Sequence, residues 1–259
     1  MGVNDTLIAG WLAWLETGNV ARSTLRMRWY AMRAFASHHH LTDVTGLDVQ
    51  HYIARLPGGP YSRQSHLAAL RSFYKWAAIS GWVTSDPTKL LHSIRVPDGI
   101  PRPIPEDVLA RALARADDDV RLMLTLGAYQ GLRRTEIAAF SSFDVVGDWL
   151  HICGKGRRVR RLPIHPRLTP LLTFTGPAFP AIRGKGDHAH PDTISNRLAA
   201  VLEGWTAHSL RHRFATRCYQ HTHDLRAVQV LLGHSSPETT QRYVFASDDS
   251  LSTAVRSVA

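Results

Sequence analysis

Residues 206–245 read TAHSLRHRFATRCYQHTHDLRAVQVLLGHSSPETTQRYVF. Apolar positions recur there at helical spacing, with no two-residue alternation, so the stretch predicts helices over about Thr206 to Gln220, Leu225 to Leu232 and Pro237 to Phe245. Gly233 ends the second helix, and Ser236 followed by Pro237 supplies the cap and first position of the third. In HSLRHRFAT, residues 208 to 216, His208 and Arg211 share one helical face, while Leu210, Phe214 and Ala215 supply an apolar one. In LLGHSS, residues 231 to 236, His234 falls at a helix C-terminal edge, where a cationic imidazole is favoured. Tyr243 lies on the third helix. Each residue alone has an ordinary explanation as a structural side chain, a cap or a core tyrosine.

Upstream, Pro105, Glu106 and Asp107 suit the first turn of a helix reaching Ala116, an apolar helix covers Val120 to about Gln130, and a short one covers Arg133 to Phe140. The segment GLRRTEI, residues 131 to 137, sets Arg133 and Glu136 three apart on one face, the spacing of a surface ion pair. Trp149 to Cys153 and Val159 to Ile164 read as strands flanking Gly154-Lys155-Gly156, a hairpin whose turn is supplied by glycines. That hairpin, GKGRRVRRLPI, crowds Lys155, Arg157, Arg158, Arg160 and Arg161 together with no acidic residue to neutralise them, which suggests a nearby anion such as phosphate or else a solvated basic loop. A second GKG, at Gly184 to Gly186, lacks strand-like flanks, so Lys185 reads as part of a loop. Helices over about Asp192 to Leu202 and an amphipathic piece over Ser250 to Val258 complete this half.

The first hundred residues predict four helices. The first follows Asp5 as cap, presents Leu7, Ile8, Trp11, Leu12 and Leu15, and ends near Gly18. The second starts after Ser23, with Leu25, Trp29, Met32 and Ala36 on one face and Arg22, Arg26 and Arg33 on another. A weaker third covers about Leu47 to Leu56. The fourth runs from Ser62 to Ser80, burying Leu67, Leu70, Tyr74 and Ala77 and exposing Arg63, Arg71 and Lys75. These basic faces are either solvated surface or phosphate contacts. Prolines at 97, 101, 103 and 105 forbid helix between Arg95 and Pro105, marking a linker. The expected division is 1–94, a linker at 95–104, and 105–259.

A length of 259 residues suits two domains, and a formal net charge of +10 favours polyanionic partners, nucleic acid first. Cys153 and Cys218 are far apart and show no CxxC spacing, so neither a disulfide framework nor a zinc site is expected. His38 to His40, His221 and His223 lack a carboxylate constellation and read as surface residues rather than metal ligands. The N-terminus does not read as a secretory signal, and no stretch approaches the ~20 apolar residues of a membrane span. A soluble, cytoplasmic protein is expected.

The order and spacing of GLRRTEI, the GKG hairpin ending in Leu162-Pro163, HSLRHRFAT and LLGHSSPETTQRY resemble the tyrosine recombinase family, the phage integrases and their Xer-like relatives. SHLAALRSFYKWA followed by GWVTSDPT, residues 65 to 88, looks like that family's core-binding domain. The resemblance implies a mainly α fold: a SAM-like helical core-binding domain and a mainly helical catalytic domain with a small β-hairpin or sheet, closing as a clamp around DNA. It implies that Arg133 and Arg211 clamp the scissile phosphate, that His208 and His234 complete the cradle, that Tyr243 is the nucleophile, that Lys155 is the acid for the leaving group, and that Glu136 buttresses the arginines. Arg22, Arg26, Arg33, Arg63, Arg71, Lys75, Arg157 and Arg158 become candidate DNA contacts. The implied reaction is site-specific recombination through a 3′-phosphotyrosyl intermediate and a Holliday junction, with no cofactor and no metal. The implied partners are double-stranded DNA at compact core-type attachment sites and three further copies in a tetramer on DNA that exchange their C-terminal helices, with a directionality factor possible and no membrane. The setting would be the cytoplasm of a bacterial host, at the nucleoid. No arm-binding domain is expected before the core-binding helices. A type IB topoisomerase, or Xer-type chromosome or plasmid resolution in place of phage integration, are the alternatives.

Overall fold

In a computed structural model the protein is described at residues 2–97, 99–154, 158–181, 186–234, 240 and 255–256. The chain divides into two compact units, Met1–Gly99 and Ile100–Ala259. Apart from Thr240, Val255 and Arg256, the predicted helices at Pro237 to Phe245 and Ser250 to Val258 lie outside the described residues, as do Ser236, Tyr243, Lys155, Arg157 and Lys185.

The first unit consists of α1 (Val3–Thr17), α2 (Arg22–Ala36), α3 (Gly46–Arg55) and α4 (Pro60–Ile79). Its core gathers Leu7, Trp11, Met32, Phe35, Leu70, Phe73 and Tyr74, with Trp11 edge-on to Phe73 at 5.6 Å between centroids. The capping box of α3 is Thr45 with Asp48, and Pro60 pre-sets the first turn of α4. Asp5 is no cap, because α1 begins at Val3 after Gly2 and the Asp5 carboxylate instead pairs with Arg33 across the helices. The face of α2 is rotated from expectation. Phe35 turns inward with Ala31 and Met32, leaving Trp29 37% exposed beneath Arg33. Arg71 is not free surface either, since it donates to Leu91 O at 2.5 Å and Ser93 Oγ at 3.3 Å and so pins the segment after α4. Arg63 is half-buried rather than exposed, whereas Arg22, Arg26 and Lys75 do face solvent.

In the second unit, α5 (Glu106–Arg115), α6 (Asp118–Ala128) and α7 (Arg134–Ala139) precede a small sheet, and α8 (Pro191–Ala199), α9 (Ala207–Thr222) and α10 (Leu225–Leu232) follow it. The proline-rich stretch carries no helix or strand, but its end is packed: Ile104 is buried and its N–H donates to Ser209 O at 3.2 Å. Strands β1 (Val145–Val146), β2 (Trp149–Cys153) and β3 (Val159–Pro163) form one antiparallel sheet in that order, so the expected hairpin gains a third, two-residue strand. Pairing sets Leu150 opposite Leu162 and Ile152 opposite Arg160. Leu150, Ile152 and Leu162 face the core formed by α5 to α9. Among the described residues no helix is long and apolar enough to cross a membrane.

Candidate active site

A polar cluster forms where the start of α7, the N-terminal part of α9, the end of α10 and β3 converge. Its centre is Glu136, on the first turn of α7 and 6% exposed. One carboxylate oxygen accepts from Arg133 Nη1 and Arg160 Nη1, and the other from the Arg133 backbone N–H and Arg160 Nη2, all at 2.8 Å. Arg211 Nη1 approaches at 3.8 Å. Burial alone would raise this carboxyl, but Arg160 and then Arg133 overcome it and hold the pKa at about 2. Thus Arg133 and Glu136 are no ordinary surface pair, because the buried carboxylate is shared with the buried guanidiniums of Arg160 and Arg211.

Arg211 is 1% exposed. Nη1 donates to Gly131 O and Nη2 to Leu232 O, both at 2.6 Å, so its fork joins the turn before Arg133 to the end of α10. Gly131 makes that turn with φ +65°, and a Cβ there would lie 2.4 Å from the Phe214 ring. The imidazole of His234 sits beside Arg211, with Nε2 3.2 Å from Nη2 and Nδ1 2.9 Å from Thr240 Oγ1. Burial first, then Arg211 and Arg133, push this imidazole down to about 4. The cationic form favoured by a bare helix end is therefore overturned: a helix-end dipole is outweighed by partial burial among full positive charges. His208 lies edge-on to His212, with ring centroids 4.2 Å apart, and is lowered by its partial burial, then by Arg211 and Arg133. A pocket of about 660 Å³ opens among Arg133, Thr135, Ser195, Trp205, His208 and Arg211. An anion there would meet guanidinium and imidazole donors together.

Of the predicted site residues, Arg133, Glu136, His208, Arg211 and His234 are brought together. Lys155 and Tyr243 lie outside the described residues, and the first-unit basic residues belong to a different unit. Arg158 is exposed on the hairpin. Two participants were missed. Arg160 had been grouped with the other hairpin cations, yet Glu136 neutralises it, which corrects the expectation of a hairpin without an acidic partner. Thr240, fully buried against His234, sat in a motif without an assigned role.

Residues 187–249 match the Phage integrase family. Over 275 aligned residues the chain is 31% identical to the tyrosine recombinase XerC of Rhodospirillum centenum, covering 90% of this chain and 80% of that protein. It is 28% identical to the tyrosine recombinase XerD of Rhizobium meliloti, covering 82% and 79%. Among solved structures, a lambda integrase dimer bound to a COC′ core site is similar in fold, with a TM-score of 0.73 at 17% identity over 91% of this chain and 96% of that one.

Proposed function

The chain belongs to the tyrosine recombinase family, and from that premise we propose that it cleaves and rejoins double-stranded DNA at compact core-type sites with Tyr243 as nucleophile. One observation carries the assignment of the site: Arg133, His208 and Arg211 line one pocket, with His234 beside Arg211 and a buried Glu136 shared by the two arginines. Two guanidiniums held rigidly from behind can stabilise the charge that builds on the nonbridging oxygens, without needing to reorganise as the reaction proceeds. The His208 imidazole, kept neutral by its partial burial beside Arg211 and Arg133, can accept the phenol proton or donate to the phosphate, while His234 braces Arg211.

The Tyr243 oxygen attacks phosphorus, a 3′-phosphotyrosyl bond forms, the bond to the 5′ oxygen breaks, and Lys155 gives that oxygen its proton. The new ester conserves the energy of the old one, so the 5′ hydroxyl of an exchanged strand can reverse the step. Two duplexes each cut twice require four active sites, which favours a tetramer on DNA passing through a Holliday junction. The second unit acts as the catalytic domain and the first as the core-binding domain, with the exposed Arg22, Arg26, Lys75 and Arg158 on phosphates. Identity to XerC over most of that protein's length supports a Xer-type resolution task over viral integration.

The test is a nicked suicide substrate built on the genomic fragment that the chain binds most tightly. Wild-type protein should accumulate a covalent adduct mapping to Tyr243, and Tyr243→Phe should bind the fragment equally well and form none. An adduct on another residue would remove Tyr243 from this role.

A further inference from the structure

Among the described hairpin arginines, Arg158 and Arg161 are exposed, and Arg161 lies over the Trp149 ring at 4.7 Å. Arg160 alone of the three turns inward, its side chain 8% exposed. Strand alternation requires this, because Leu162, two residues on, faces the core. The guanidinium grips Glu136 with both terminal nitrogens at 2.8 Å and donates Nε–H to Leu231 O at 2.9 Å. Its stem crosses Gly233 so closely that a Cβ there would lie 2.9 Å from Arg160 Cδ, and Gly233 also holds φ +63°. One side chain thereby bolts β3 to the turn of α7 that Arg133 caps and to the end of α10 that leads into His234.

A buried ion pair is a weak source of net stability, since apolar packing of equal volume often does as well, and its best-attested use is to fix register. What is registered here is the hairpin. Gly154 N–H donates to Arg158 O at 2.8 Å, closing the two chain ends between which residues 155 to 157 run. We propose that Arg160 is a positioning residue that fixes the hairpin ends at Gly154 and Arg158 against Glu136 and the end of α10, and that proton delivery by Lys155 to the phosphate held by Arg133 and Arg211 depends on it. The inference rests on the reading of Lys155 as the acid. It separates two jobs within one basic hairpin: Lys155 gives the proton, and Arg160 never touches DNA.

The experiment compares full-length wild type, Arg160→Met, Arg160→Lys and Lys155→Ala on suicide substrates whose bridging 5′ atom is oxygen or sulfur. A thiolate leaves without a proton, so sulfur relieves only a fault in acid delivery. Misplacement by about 1 Å can lower the rate about 10²-fold. Arg160→Met should therefore cleave ordinary DNA about 10²-fold more slowly while binding it normally, and should approach the wild-type rate on the sulfur substrate. Arg160→Lys keeps the charge but cannot span both Glu136 and Leu231, so it should show a smaller defect with the same sulfur relief; it carries the test if Arg160→Met fails to fold. Equal slowing on both substrates would overturn the inference, because the damage would then lie in the phosphate cradle. So would unimpaired cleavage of ordinary DNA. If Lys155→Ala itself gains nothing from sulfur, the acid assignment falls and this role of Arg160 with it; if Lys155→Ala is relieved and the Arg160 variants are not, only the present inference falls.

Discussion

The Nε2 atom of His234 lies 3.2 Å from a terminal guanidinium nitrogen of Arg211. A guanidinium can only donate, so in this pair the imidazole accepts, and its proton must sit on Nδ1, directed at Thr240 Oγ1 2.9 Å away. Geometry and electrostatics agree: burial and the neighbouring Arg211 and Arg133 hold the ring neutral, down to about 4 from an ordinary 6.5.

The first prediction follows from that neutral ring. In the DNA-free protein, nitrogen-detected NMR should show His234 protonated on Nδ1 and uncharged at pH 6, titrating only as the pH approaches about 4. Between about 4 and 6.5 the unfolded chain binds this proton and the folded chain does not, so the contribution to stability is full above 6.5 and declines as the pH falls toward 4. A titration at or above 6.5 would refute both the tautomer and the neutral ring.

Arg211 should tolerate no substitute. Its fork reaches Gly131 O and Leu232 O together, two carbonyls on separate elements, and the ammonium of Arg211→Lys, a compact point charge, cannot reproduce that planar span. Cleavage of a suicide substrate should fall by about two to three orders of magnitude, as when one oxyanion donor is removed. Affinity for the same DNA should change little, because other phosphate contacts remain. Near-normal cleavage by Arg211→Lys would show that the phosphate is held elsewhere.

Glu136→Ala removes the carboxylate that, among the described residues, faces Arg133, Arg160 and Arg211 together. Arg160 is left buried with only the Leu231 carbonyl among its bonds above, and stranding one member of a buried pair costs about 3–5 kcal/mol. Urea unfolding should report a loss of that order, whereas Arg134→Ala, which breaks an exposed pair with Asp192, should lose about 0–1 kcal/mol. Comparable losses from the two substitutions would mean that Glu136 is not the centre of the cluster.

The helices and the hairpin were legible because their periods are long and their punctuation is explicit: Pro105, Glu106 and Asp107 open α5, and Gly18 and Gly233 close α1 and α10. Side-chain commitments were harder to read, because they depend on partners distant in sequence. Arg160 meets Glu136 across 24 residues and Arg71 meets Leu91 across 20, so neither looked engaged from its own neighbourhood. Arg160 did leave one signal, since an inward Leu162 on an alternating strand obliges residue 160 inward as well. Trp29 left none: the inward turn of Phe35 shows only in its tertiary packing, edge-on to Tyr52 of α3 at 4.8 Å. Strand β1, at two residues, is too short to carry a period at all.

The last prediction sorts the basic residues of the first unit, which were grouped together by charge and are separated by the fold. Arg22, Arg26 and Lys75 face solvent, while Arg33 is paired with Asp5 and Arg71 with the Leu91 carbonyl. A phosphate contact releases counterions, so losing one such contact lowers the slope of log affinity against log salt by about 1 and weakens binding for every sequence alike. Arg22→Ala, Arg26→Ala and Lys75→Ala should each do this while leaving the melting temperature unchanged. Arg71→Ala should do the reverse, keeping the salt slope and lowering stability by about 1–3 kcal/mol, because the Leu91 carbonyl loses a charged donor. The measurement is a binding titration at several salt concentrations beside a thermal melt for each variant. A salt slope that drops for Arg71→Ala and stays put for the three exposed residues would show that Arg71, and not Arg22, Arg26 or Lys75, carries the phosphate contact.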